Sequence, residues 1–127
     1  MDAEILYVVM PAYNEEANIH ESVRTWSAVL DGKSPHSKIV VADSGSTDDT
    51  HRILKELQQK LPCLEIIENT PKQHGPKCIA LYRHAIANHA DYIFQTDSDG
   101  QTNPKEFEKF WRARKKYEAI LGNRRKR

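Results

Sequence analysis

Cysteine is scarce: Cys63 and Cys78 are the two that this chain of 127 residues carries. They build no disulfide framework of the sort that staples small secreted domains, and a reducing, cytosolic setting fits them best. Long apolar runs are missing too. Nothing approaches the roughly 20 residues that a membrane-spanning helix needs. The opening MDAEILYVVMP has no basic stretch before its apolar run and no small-residue cleavage site, so it does not read as a secretory leader. There is no G-x-G-x-x-G and no Walker sequence, hence no glycine loop to seat a pyrophosphate on a helix end. No C-x-x-C or H-x-x-x-H pair stands among the six histidines, so their spacing does not read as a zinc site.

Charge of one sign is lacking overall but not locally. The net charge is +1. Residues 1–58 hold ten acids and five bases, whereas residues 112–127 hold eight bases and one acid. Such a basic end suits an anionic membrane face or a phosphorylated ligand. Its RRKR has no aromatic interleaving and the chain has no nucleic-acid-binding signature, so nucleic acid is not the expected partner.

What is present is an alternation. Apolar runs at Ile5–Met10, Lys38–Ala42, Leu64–Ile67 and Tyr92–Gln95 read as buried strands, and Glu118–Gly122 as a fifth. Helical spacing places Ile19, Val23, Trp26 and Leu30 on one face. It groups Ile53, Leu54, Leu57 and Leu61 on a second helix from about Thr47 to Lys60. A third, from about Pro76 to His89, turns Cys78, Leu81, Tyr82, Ala85 and Ile86 inward, and a fourth carries Phe107, Phe110, Trp111 and Arg114. Strands alternating with helices predict an α/β domain whose mainly parallel sheet is flanked by helices, as a single unit over residues 1–127.

Ligands of such sheets sit beyond the carboxyl ends of the strands. The segments there are Pro11-Ala12-Tyr13-Asn14-Glu15-Glu16, Asp43-Ser44-Gly45-Ser46-Thr47-Asp48-Asp49, Asn69-Thr70, Asp97-Ser98-Asp99-Gly100 and Asn123-Arg124-Arg125. Three of these are the places for a metal cation and hydrogen-bond donors. Asp97 and Asp99, two apart after a strand, can converge on one hard cation such as Mg2+ or Mn2+ together with phosphate oxygens. The same stretch matches an EF-hand loop at three positions, but Thr102 stands where that loop needs glycine. Asn14 reads as a helix cap with Glu15 and Glu16 in the first turn, and Ser46 with Asp49 as a capping box. Asp43 caps nothing. It is expected to face the crevice, to accept N–H bonds from a base, and to tolerate replacement without unfolding the chain.

VVMPAYNEEANI, VADSGSTDDT and a strand ending in DSDG, in this order and spacing, resemble the family 2 glycosyltransferases of GT-A fold. The resemblance covers residues 5–125, and the family domain continues past that point. It implies that Pro11, Ala12, Tyr13 and Glu15 form the loop holding the base and ribose of a nucleotide. It implies that Asp43 bonds the base, that Gly75 and Lys77 lie near the base and diphosphate, and that Asp97 sits near the ribose and metal. Asp99, with Asp97, would ligate Mn2+ or Mg2+. DSDGQ and LGNRRKR, with Gly122, Arg124 and Arg127 at the matching positions, resemble the branch of polyprenyl-phosphate sugar transferases. Ser44 stands where many members have a second aspartate, His84 at a frequent glycine, and Ala90 at the glycine often found before the fourth strand.

The chemistry so implied is inverting, metal-dependent transfer of a sugar from a UDP- or GDP-linked donor to a lipid phosphate or a saccharide, as in polysaccharide or glycolipid biosynthesis. No residue reads as the general base, which is expected beyond Arg127. These 127 residues are therefore expected to bind a donor without turning it over, at the cytoplasmic face of a membrane or in the cytosol. Two other readings stand beside it. A sugar nucleotidyltransferase expects a basic, glycine-rich loop after the first strand, where this chain has PAYNEE. A non-catalytic nucleotide- or metal-binding module of receiver type expects a phosphoacceptor aspartate ending the third strand, where this chain has Glu68-Asn69-Thr70.

Overall fold

The computed structural model describes residues 4–68, 70, 73–97 and 104–113. Four strands, β1 (Leu6–Ala12), β2 (Lys38–Asp43), β3 (Leu64–Ile67) and β4 (Tyr92–Gln95), alternate with four helices, α1 (Ile19–Val29), α2 (Thr50–Lys60), α3 (His74–Ala87) and α4 (Pro104–Ala113). The strands form one all-parallel sheet in the order β3-β2-β1-β4. The expected parallel α/β sheet is thus observed. The fifth strand at Glu118–Gly122, and Arg114 on the fourth helix, lie outside the described residues.

The pleat of β1 divides the core. Leu6, Val8 and Met10 point to a layer with Ile19, Val23 and Trp26 of α1, Leu54 and Leu57 of α2, and Phe107 and Trp111 of α4. Tyr7 and Val9 point to the opposite layer, where Leu81 and Ala85 of α3 meet Val40 and Ala42. Alternate residues of a strand face opposite sides, so one continuous apolar run serves both layers. Leu54 and Leu81 are fully buried, and truncating either to alanine costs about 2–5 kcal/mol. Trp26, Phe94 and Phe107 interlock with ring centroids 4.6 to 5.6 Å apart. Lys33 bolts α4 to the turn after α1. Its Nζ donates to the Val29 carbonyl at 2.8 Å and to Glu108 at 3.2 Å, and lies 5.3 Å from the Trp111 ring centroid.

One helix-face assignment differs from the sequence reading. Ile86 is 65% exposed rather than inward, because the core-facing line of α3 runs through Lys77, Cys78, Leu81 and Ala85. α3 closes on His89, which takes a left-handed φ of 65° while Ala90 donates back to the Ala85 carbonyl at 3.0 Å. That is a Schellman-type end with histidine in the position that glycine usually fills.

Candidate functional site

The strand order creates a crevice. Chain progression runs from β1 outward to β2 and β3, then returns to β4 on the other side of β1. The reversal lies between β1 and β4, and the carboxyl ends beside it are where a ligand binds in such sheets. Pro11 helps to open it. The β1–β4 register ends at Val9↔Gln95, followed by Thr96 donating to the Val9 carbonyl at 3.0 Å. The next bond of a parallel ladder would need an N–H from residue 11, and proline has none. On the β2 side pairing continues to Ala12↔Asp43. Pro11 and Ala12 are therefore buried strand residues, not the loop residues of the sequence reading, and the loop proper begins at Tyr13.

Asp43 ends β2 and is 3% exposed. Ser46 donates its hydroxyl to Oδ1 in a short hydrogen bond, and His51 Nδ1 lies 3.3 Å from Oδ2. Ser46 thus serves Asp43 rather than capping a helix. α2 begins only at Thr50; Asp49 before it makes no side-chain cap bond, and the Thr50 N–H donates instead to Asp48 Oδ1 at 2.9 Å.

Asn14 is likewise no cap, since α1 begins at Ile19. It sits at φ 51°, a left-handed conformation that asparagine tolerates better than most residues. From there it sews the loop after β1 to the loop after β2. Its N–H donates to Ser46 Oγ at 3.0 Å, its Oδ1 accepts from the Thr47 N–H at 2.7 Å, and its Nδ2 donates to Thr47 Oγ1 at 3.2 Å. Glu15 N–H donates to Thr50 Oγ1 at 2.8 Å, and Glu16 N–H to Asp48 Oδ2 at 3.2 Å. Burial alone would raise the Asp48 carboxyl. The hydrogen bonds from Thr50 and the Glu16 N–H outweigh it and hold the group below its ordinary value. Ser44 extends the stitching toward β3 by donating to the Thr70 carbonyl at 2.7 Å.

Lys77 is the residue that the structure moves farthest from intuition. A lysine one turn into α3 suggests a solvated phosphate contact, yet it is 1% exposed. Its Nζ donates to the Ala12 carbonyl at 2.8 Å and lies 5.8 Å from the Tyr13 ring centroid. Burial pushes the ammonium below its ordinary value, opposed by the negative charge of Asp43. Asp43, Ala12, Tyr13 and Lys77 are thereby one cluster at the end of β1. Gly75, two residues before Lys77, is exposed, and a Cβ there would meet nothing within 4 Å.

Asp97 follows β4 by two residues, on the flank of β1 opposite Asp43. Its partner Asp99, like Ser98, lies outside the described residues. Among the described residues no three His, Cys, Asp or Glu side chains gather into a metal site. Neither Asn14 nor His51 was legible as a site residue. The partners of Asn14 are 32 to 34 residues away and those of His51 are Asp43 and Glu68, on two other strand ends, beyond any local pattern.

The sequence profile of Glycosyl transferase family 2 matches residues 7–127. A dolichyl-phosphate beta-glucosyltransferase from Dictyostelium discoideum is 29% identical over 112 residues, covering 84% of this chain and 34% of that protein. Glucosyl-3-phosphoglycerate synthase from Mycobacterium tuberculosis is 36% identical over 93 residues, covering 72% and 28%. Its structure in complex with Mn2+, UDP and glucosyl-3-phosphoglycerate superimposes with a TM-score of 0.61 at 28% identity, over 91% of this chain and 40% of that one. For the fold alone, Staphylococcus aureus TarS with UDP-GlcNAc gives a TM-score of 0.65 at 23% identity, over 88% and 31%. The chain spans about a third of the length of these relatives. Matching profile, GT-A architecture and strand-end motifs agree: this chain belongs to glycosyl transferase family 2.

Proposed function

We propose that this chain is the donor-binding part of an inverting, metal-dependent glycosyltransferase that takes its sugar from a UDP- or GDP-linked donor. The observation that carries the proposal is the cluster of Asp43, Ala12, Tyr13 and Lys77 beside the β1–β4 crevice. The M. tuberculosis relative holds UDP and Mn2+ in its complex, which supports a nucleotide diphosphate as the ligand class.

The residues take these parts in the proposal. Asp43 presents a carboxylate to a base N–H. Tyr13 and Glu15, with the ends of β1 at Pro11 and Ala12, border the base and ribose. Gly75, with open space over its Cα, lets a diphosphate come close to the first turn of α3, which carries no acid. Lys77 acts from beneath, holding the end of β1 and adding positive potential to the floor. Asp97 and Asp99 offer hard carboxylate oxygens, a donor set suited to Mn2+ or Mg2+. The bound ion would supply Lewis acidity toward the departing diphosphate. Placing the donor beside the acceptor contributes through proximity.

The acceptor in this reading is a lipid phosphate or a saccharide, and the name of the Dictyostelium relative supports the former. A phosphate acceptor is already ionised near neutral pH and needs no base to deprotonate it. The basic run at 112–127 would then meet an anionic membrane face. Among the described residues no helix is long and apolar enough to cross a membrane. The acceptor side and its general base belong to segments beyond these 127 residues.

The test is calorimetric titration of the chain with UDP and GDP in Mn2+, then in EDTA, beside an assay of donor hydrolysis and transfer. Binding of a nucleoside diphosphate that EDTA abolishes is expected, with no turnover. Binding indifferent to metal removes Asp97 and Asp99 from the proposal. Efficient transfer by these residues alone overturns the division between donor and acceptor parts.

A further inference from the structure

His51 stands in the first turn of α2 with a carboxylate at each ring nitrogen. Nδ1 is 3.3 Å from Asp43 Oδ2, and Nε2 is 3.2 Å from Glu68 Oε2. A carboxylate only accepts, so Nδ1 carries a hydrogen where it bonds Asp43. The ring therefore spans the ends of two neighbouring strands, since Asp43 ends β2 and Glu68 directly follows β3. Lys55, one turn further along α2, brings its Nζ to 3.6 Å from the same Glu68 oxygen.

The two halves of this bridge differ in kind. His51 and Glu68 are each about half exposed, with side chains at 45% and 46%, and ion pairs in that setting contribute little to stability. Asp43 is 2% exposed along its side chain, so its contact with His51 is the desolvated one. With Ser46 on Oδ1 and His51 on Oδ2, the carboxyl plane is fixed from both edges. The remaining lone pairs then point in set directions, with the positive potential of Lys77 behind them.

We propose that His51 is a positioning residue for Asp43: it orients the carboxylate that recognises the base of the nucleotide. The inference rests on the donor-site reading above and adds to it the residue that pre-organises that contact. His51 itself touches no reacting atom in this arrangement.

The experiment titrates the wild-type chain and its variants with UDP and GDP in Mn2+, following the tighter nucleotide. His51→Ala is expected to weaken binding about tenfold, the scale of one hydrogen bond to a charged group. His51→Asn, whose amide nitrogen falls where Nδ1 was, is expected to restore affinity to within about threefold, whereas His51→Gln, which reaches toward Glu68 instead, is not. In an Asp43→Ala background, which leaves no acceptor for His51, His51→Ala is expected to cost no further affinity, because an effect routed through that carboxylate vanishes with it. Thermal unfolding of each variant accompanies the titrations. Where the alanine variant fails to fold, the contrast between Asn and Gln decides.

Wild-type affinity in His51→Ala, equal affinity of the Asn and Gln variants, or losses that simply add across the cycle would each overturn the inference while leaving the donor site intact. A wild-type chain that binds neither nucleotide removes the donor-site reading itself, and does so before any variant is made.

Discussion

Lys77 on α3 donates its ammonium to the carbonyl oxygen of Ala12, the last residue of β1, at 2.8 Å. The bond ties the helix on one face of the sheet to the strand end at the crevice. It also places a positive charge beneath Tyr13 and beside Asp43. A buried cation is expensive, and here a peptide dipole and a nearby carboxylate offset part of the cost.

The cost has a pH signature. Burial lowers the Lys77 pKa from its ordinary 10.5, with Asp43 and Cys78 opposing. Between the depressed folded value and 10.5 the unfolded chain binds more protons than the folded one. Stability attributable to this group therefore rises with pH through that window. Tyr7 and Tyr82, both raised by burial, act in the opposite direction as they ionise, so the comparison must be a difference. Urea midpoints of wild type and Lys77→Met should show the wild type gaining on the variant as pH climbs toward 10.5. A constant difference would place the Lys77 charge in solvent.

The bonds to Asp43 change what its removal does. Asp43→Ala takes away the acceptor of Ser46 and His51 and the charge beside Lys77, so it should cost about 1–3 kcal/mol of stability as well as nucleotide affinity. These bonds add a stability cost to the expected loss of affinity, in a chain still expected to fold. Asp43→Asn keeps an acceptor and should retain most of the stability while losing affinity. Chemical denaturation separates the two effects. Equal midpoints for wild type and alanine variant would refute the structural role.

Asp99→Asn and Ser98→Ala differ by one carboxylate. The asparagine variant should lose the Mn2+-dependent part of UDP or GDP binding, and the alanine variant should keep it, because only the carboxylate is a strong ligand for a hard cation. Titration with and without EDTA reads the outcome. Equal losses in the two variants would mean that the loop's conformation, not its charge, sustains binding.

His89 holds the left-handed end of α3, where a non-glycine residue is strained by about 1–2 kcal/mol. His89→Gly should relieve part of this and raise stability by about 0.5–1 kcal/mol, the remainder being lost to the freer unfolded chain. A higher melting temperature with unchanged nucleotide affinity is expected. A lower one would show that the imidazole makes a contact worth more than the strain.

The sequence by itself determined the elements and the chemistry of their ends. β3 and β4 lie where their apolar runs stand, and acids follow β2 and β4 as read. These are local properties, because a period of two or of 3.6 and a loop composition need only neighbouring residues. Local reasoning failed where distant partners outbid near ones. Asn14 and Ser46 have the chemistry of helix caps, yet each gives its hydrogen bonds to the facing loop or strand end. Three matters were decided by tertiary structure alone: the order β3-β2-β1-β4, the burial of Lys77 and the bridge from His51 to Asp43. The strand order sets which loops meet, and only that meeting gives a buried lysine its carbonyl and a surface histidine its two carboxylates.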